Sequence, residues 1–150
     1  MNIYDALRES HDEQRAMCAE LLKTEPNSNE RIQVFKSLRV ELDAHAAAEE
    51  RFLYCVMMMD DSGLTSSRHA LAEHHVMEEM LEDLTTNDPT VAGWMTRAKS
   101  LCDKVHHHLK EEETKFFQLS GKILTEEQKV SLAKSYQEDY QRLKEKYANQ

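Results

Sequence analysis

Apolar residues recur every three to four positions along most of this chain, with few breaks. Tyr4, Leu7, His11, Gln14, Cys18 and Leu21 fall on one face of a helix expected over about residues 2–24. Glu25-Pro26-Asn27-Ser28-Asn29 interrupts the pattern, and Asn27 or Ser28 can cap the next helix. That second helix is expected over about 29–58, with an inner stripe of Phe35 (or Ile32), Leu38, Leu42, His45, Glu49, Phe52 and Val56. A histidine and a glutamate stand where apolar residues belong. Asp60 to Gly63 ends the helix, and the preceding Met57-Met58-Met59 reads as packing at a helix end.

A third helix is expected over about 65–86, capped by Thr65 or Ser66, with Leu71, His74, Met77, Leu81 and Leu84 on its inner face. Asn87-Asp88-Pro89 predicts a stop and a restart, with Asp88 as cap and Pro89 in the first turn. The fourth helix runs to about 119 along Trp94, Ala98, Leu101, Val105, His108, Glu112 and Phe116, and Gly121 is expected to close it. Thr125-Glu126-Glu127-Gln128 has the form of a capping box. It starts a charged fifth helix over about 125–147, whose weaker apolar side holds Val130, Leu132, Ala133, Tyr136, Tyr140 and Leu143. The expectation is an all-α single domain over 1–150: an antiparallel up-down four-helix bundle over about 2–120, with an additional C-terminal helix packed outside it.

The chain repeats itself at an offset of 63 positions. His45-x-x-x-Glu49-Glu50 returns as His108-x-x-x-Glu112-Glu113, and His11 returns as His74. The short connections make successive helices antiparallel neighbours. Counted at ~1.5 Å per residue, His11, His45, Glu49, His74, His108 and Glu112 then share one level, roughly 12–18 Å from one end of the bundle. A His and a Glu four residues apart stack on one helix face. His69, His75, His106 and His107 lie off the stripes and are expected at the surface.

Composition narrows the chemistry. Three Gly and two Pro favour long helices over a turn-rich sheet protein. A formal net charge of -9 argues against a nucleic-acid partner, because phosphate binding needs a basic face. Three widely spaced cysteines form neither a disulfide framework nor a zinc ribbon. With no apolar signal core and no spanning segment, the expectation is a cytoplasmic protein without a membrane.

Burying four imidazoles and two carboxylates would cost several kcal/mol for each charged group unless something compensates, and a metal does. Nitrogen and carboxylate ligands without thiolate suit Fe, Mn or Zn. Two symmetric halves suit two ions, with Glu49 and Glu112 as bridges. If a further oxygen bridges the ions, about two coordination positions stay open, as a reactive or ligand-binding site requires.

These motifs resemble the hemerythrin-like (HHE cation-binding) family. The resemblance rests on His11 in Ser-His-Asp-Glu-Gln-Arg, His45 and Glu49, His74 in Ala-Glu-His-His, and His108 and Glu112. It covers about residues 3–120 and implies two non-haem iron ions with a bridging oxo or hydroxo group. The chain departs from the oxygen-carrying members. Their second histidine one turn beyond the third-helix ligand is Glu78 here, and the carboxylate five residues after the fourth-helix His is Glu113, although the repeat favours Glu112. Glu78 can serve as a further ligand or as one half of an ion pair, since Arg15 holds the equivalent position after His11. Tyr54 can reach the centre from behind the ligands. A ferritin-like di-iron fold would show Glu-x-x-His, which the chain lacks.

The expected function is binding or sensing of O2, NO or peroxide at this centre. The alternatives are an enzyme reducing peroxide or NO, with Glu78, Glu113 or Tyr54 as proton donor, and an iron- or oxygen-responsive interaction module.

Overall fold

The computed structural model describes residues 1–150 and is helical throughout, with no strand. Helix α1 is Ile3–Leu21, opened by a capping box between Asn2 and Asp5. Helix α2 begins at Asn29–Glu49, capped by Ser28, passes through a π-helical turn at Glu50–Tyr54 and ends as Cys55–Met58. Helix α3 is Leu64–Thr86. Helix α4 is Ala92–Glu111, then a second π turn at Glu112–Phe116, then Phe117–Ile123. Helix α5 is Glu126–Ala148, and the capping box between Thr125 and Gln128 is formed. Helices α1 to α4 make the antiparallel bundle, with α1 against α2 and α4, and α3 against α2 and α4. No helix is long and apolar enough to cross a membrane.

Several helix boundaries differ from the sequence reading, each for a local reason. Thr65 and Ser66 lie inside the first turn of α3 instead of capping it; Gly63 holds the cap position without a side-chain bond. A Cβ on Gly63 would overlap the carbonyl oxygen of Met57, so the turn between α2 and α3 requires glycine. Asp88 does not cap α4. Its carboxylate accepts hydrogen bonds from the backbone and hydroxyl of Thr90, and the helix starts only at Ala92, behind Val91. Gly121 does not end α4 either, because the helix continues to Ile123 until Leu124 turns extended.

The two π turns change which residues face inward. A π turn sets residues five apart on one face, where an α-helix would set four. After Glu49, the buried positions are therefore Leu53, Tyr54 and Met57, while Phe52 and Val56 are only partly covered. After Glu112, Phe117 joins Phe116 in the interior.

Helix α5 lies across α1 and α2. Ala133, Tyr136, Tyr140 and Leu143 are buried, whereas Val130 is exposed. Arg51 in the first π turn donates to Asp139 at 2.8 Å, and Tyr140 donates to Glu41. The apolar interior falls into two clusters. One holds Ile3, Leu7, Leu53, Tyr54, Met57, Phe116, Phe117 and the inner face of α5. The other holds Cys18, Leu38, Leu42, Met77, Leu81, Trp94 and Leu101.

Candidate metal centre

A layer of six polar side chains lies between these two clusters. His11, His45, Glu49, His74, His108 and Glu112 are all buried, none more than 8% exposed. Their atoms form two groups of four. His11, His45, Glu49 and Glu112 each offer an atom within 4.8 Å of the others, and so do Glu49, His74, His108 and Glu112. Both groups contain both carboxylates. His11 Nε2 lies 3.3 Å from Glu112, His45 Nε2 3.4 Å and His74 Nε2 3.3 Å from Glu49, and His108 Nε2 3.6 Å from Glu112. Within each HxxxE motif the two side chains meet because residues four apart stack along an α-helix. The first π turn starts after Glu49 and the second at Glu112 itself, so neither disturbs the register between the histidine and the glutamate.

Four atoms of this layer are buried without any hydrogen-bond partner: His11 Nε2, His45 Nε2, Glu49 Oε2 and Glu112 Oε1. Unpaired polar atoms at this depth are rare and need an explanation. Imidazole nitrogen and carboxylate oxygen with no thiolate fit a cation such as iron, and the residues present could hold a metal.

The outward nitrogens of the histidines are all engaged. His11 Nδ1 lies 2.7 Å from Glu113, and His74 Nδ1 2.8 Å from Glu50. These two pairs are equivalents across the repeat, each joining a single-histidine helix to the residue after the other motif's glutamate. His108 Nδ1 lies 2.9 Å from Glu73. His45 Nδ1 lies 2.8 Å from the hydroxyl of Tyr136, which in turn lies 2.7 Å from Ser10. With each Nδ1 turned outward, the Nε2 atoms face the middle of the layer, where those of His74 and His108 lie 3.1 Å apart.

Electrostatics follow this arrangement. Burial works against a charged His11, but Glu112 and then Glu113 outweigh it and hold its pKa up at about 9. Burial keeps His45 neutral, lowered to about 4. His11, followed by Arg15, holds Glu113 down at about 2, and His108, followed by Lys104, does the same for Glu73. Burial and the adjacent Glu49 push Glu112 upward.

Tyr54 is fully buried and closes one side of the layer. Its hydroxyl contacts Glu49, 2.9 Å away, and Glu112. The π turn sets it directly beyond Glu49, five residues on. Glu78 does not reach the layer. It pairs with Arg39 at 3.1 Å and is half exposed. Arg15 pairs with Glu113 at 2.7 Å, so the position after each single histidine is occupied by an ion-pair member with its own partner. His69, His75, His106 and His107 are exposed, as expected.

Glu50, Glu73, Ser10 and Tyr136 were not singled out from sequence. Glu50 carried a signal, as the repeat equivalent of Glu113. Tyr136 carried only the hint of a polar tip on an apolar helix face.

Comparison with known proteins bears on the fold and the family. A protein named DNA nickase from Nostoc sp. strain PCC 7120 is 26% identical over 151 positions, covering 100% of this chain and 42% of that protein. The chain thus spans about two fifths of the length of that relative. The crystal structure of a hemerythrin HHE cation binding domain-containing protein from Mycobacterium kansasii superposes with a TM-score of 0.88 at 21% identity, over 97% of this chain and 89% of that one. The Hemerythrin HHE cation binding domain matches residues 2–120, and the chain belongs to that family.

Proposed function

We propose that the six-residue layer holds two iron ions joined by a bridging oxo or hydroxo group, and that the centre binds O2, NO or peroxide. In this reading His11 and His45 serve one ion, His74 and His108 the other, and Glu49 and Glu112 span both. The observation that carries it is the sharing of both carboxylates by two four-residue groups, with unpaired buried atoms facing inward. A single ion in one group would leave the two histidines of the other group with no cation to hold.

Iron, when bound, supplies redox chemistry and an open position for a small ligand. The protein's own part is orientation and exclusion. Glu113, Glu50, Glu73 and Tyr136 fix the four rings from behind. The two apolar clusters keep bulk water away from both sides. DNA cleavage, the activity in the Nostoc relative's name, would need a basic face for phosphate, and a net charge of -9 offers little to build one.

Metal analysis of the purified protein tests the reading, together with its visible spectrum. About two irons per chain with an oxo-to-iron charge-transfer band is the expected result. One zinc, or no metal after iron supplementation, overturns it. Anaerobic reduction followed by O2 titration then tests reversible binding, and the absence of a reversible optical change rules that out.

A second reading, reduction of peroxide or NO, is favoured by Tyr54. Its phenol is an O–H donor held at both carboxylates, where a reaction consuming protons would need one. Peroxide turnover that falls roughly 10²-fold in Tyr54→Phe at unchanged iron content supports this reading. Stoichiometric oxidation without turnover removes it.

A further inference from the structure

A third group of ligand-type side chains lies outside the layer. His69 and Glu73 stand one turn apart on α3, and His107 and Glu111 one turn apart on α4. His69, Glu73 and Glu111 each offer an atom within 4.8 Å of the others. His69 Nε2 lies 2.7 Å from Glu111 Oε1 and 3.6 Å from Glu73 Oε1. His107 Nε2 lies 3.2 Å from the other oxygen of Glu111 and fixes that carboxylate from behind. His75 and Glu79 have the same spacing and lie 3.2 Å apart, but they belong to no such group.

The first half of the repeat holds something different at the same positions. There the equivalents of His69, Glu73, His107 and Glu111 are Ala6, Ser10, Ala44 and Ala48. All four are buried, and the three alanines pack in one cluster with Ala133, Tyr136 and Tyr140 of helix α5. Small side chains let α5 close that side, whereas the α3–α4 side stays open. A cavity of about 330 Å³ joins the outer group to the layer. Its wall includes His69 and Glu111, 58% and 25% exposed, and the layer's own His108 and Glu112, 4% and 1% exposed. Glu73 stands between them, because the Oε1 that faces His69 also lies 2.9 Å from His108 Nδ1. At the inner end Glu112 Oε1 is buried without a partner.

We propose that His69, Glu73 and Glu111 form a surface site for a divalent first-row transition metal ion such as Fe2+, and that the ion passes from there through the cavity to His108 and Glu112. The proposal rests on the di-iron reading above and adds the side from which the layer is loaded. One imidazole nitrogen and two carboxylate oxygens suit such an ion and leave about three of six positions to exchangeable water. Lys104 pairs with Glu73 at 2.9 Å and Lys115 lines the cavity, so two ammonium charges oppose retention. The site therefore captures an ion and passes it on instead of storing it. Glu111, Glu73 and Glu112 place a carboxylate at each depth of the cavity, so the cation exchanges one anionic partner for the next.

Iron-loaded protein titrated with Mn2+ tests the site, because a filled layer leaves only the outer group free. The electron paramagnetic resonance signal of unbound Mn2+ counts the ion taken up. About one Mn2+ per chain is expected in wild type. Binding weakens at least roughly tenfold in His69→Ala and in Glu111→Gln, and stays unchanged in His75→Ala. The route is tested by mixing metal-free protein with Fe2+ anaerobically and quenching with a coloured chelator at successive times. Uptake into the layer is expected to slow roughly tenfold in His69→Ala, with the same final iron content. Wild type that takes up no Mn2+, or Mn2+ binding untouched by His69→Ala, overturns the site. Equal uptake rates in wild type and His69→Ala overturn the route. A layer that takes up no iron in any of these proteins overturns the di-iron reading instead, while Mn2+ binding compared between metal-free wild type and His69→Ala still decides the outer site.

Discussion

Ser10 and Glu73 occupy equivalent positions in the two halves of the repeat, yet only Glu73 reaches its histidine. The Glu73 carboxylate lies 2.9 Å from His108 Nδ1. Ser10 is too short to span the same gap, and the hydroxyl of Tyr136 stands between it and His45, 2.7 Å from the serine and 2.8 Å from the imidazole. When His45 Nε2 faces inward, Nδ1–H donates to the Tyr136 oxygen and the phenol O–H donates to Ser10. Helix α5 therefore completes one half of the layer in place of a carboxylate.

Tyr136→Phe accordingly weakens metal retention while leaving the helices in place. Loss of a partner behind a ligating histidine costs roughly 10–100-fold in affinity. Chelator competition followed by metal analysis measures it, with circular dichroism as the control. Unchanged affinity would reduce Tyr136 to a packing residue.

Metal removal lowers stability. Any ion that binds only the folded layer contributes about 2.7 kcal/mol at a hundredfold excess over its dissociation constant. The melting temperature of wild type should fall on chelation, and that of His45→Ala should move much less. Scanning calorimetry of both proteins with and without chelator checks this.

Glu41 gives the fold a pH dependence away from the layer. It is 1% exposed, and burial raises its pKa from 4.5 to about 7, against the lowering effect of the Tyr140 hydrogen bond and of Lys144. The folded state thus holds a proton that the unfolded chain has lost across this window. Stability from this group is fully present below pH 4.5, declines as pH rises and is gone above about 7. The swing is at most ~3 kcal/mol. Glu41→Gln removes it, so denaturant midpoints of the variant should exceed wild type at pH 8 and decline less between pH 4.5 and 7.

Arg31 binds the far end of the bundle. It is buried and donates to the Thr24 hydroxyl, to the Thr24 carbonyl and to the Pro89 carbonyl, joining the α1–α2 and α3–α4 connections. Hydrogen bonds from a charged group contribute roughly 1.5–3 kcal/mol each. Arg31→Ala should cost several kcal/mol, with and without metal alike, and Arg31→Lys should recover little, since an ammonium cannot reproduce the guanidinium fork. Urea titration measures both. A loss confined to the metal-bound protein would contradict this account.

The repeat made much of the layer readable from sequence. An offset of 63 paired His11 with His74 and the two HxxxE motifs with each other, and all six side chains do converge. The groups behind the histidines were harder to see. The contacts of Glu73 with His108 and of Tyr136 with His45 join residues 35 and 91 positions apart, and no local period encodes them. Glu78 and Arg15 sat in the right register, but salt bridges to Arg39 and to Glu113 draw them away. The π turns left no mark in composition, because neither Glu50–Tyr54 nor Glu112–Phe116 contains glycine or proline. A stripe read at α-helical spacing therefore named Phe52 and Val56 where Tyr54 and Met57 are buried.

Each π turn amounts to one residue more than a plain α-helix of the same height. Deleting a single residue between Glu49 and Tyr54 would leave a helix of acceptable propensity, yet it would swing the later side chains of that helix by about 100°. Tyr54 would leave the carboxylates, and Met57 would no longer meet Gly63 at the following turn. Length at this point of the chain is thus a functional quantity. A homologue one residue shorter here would keep the bundle and all six inward-facing side chains, and would present a different group to them from above.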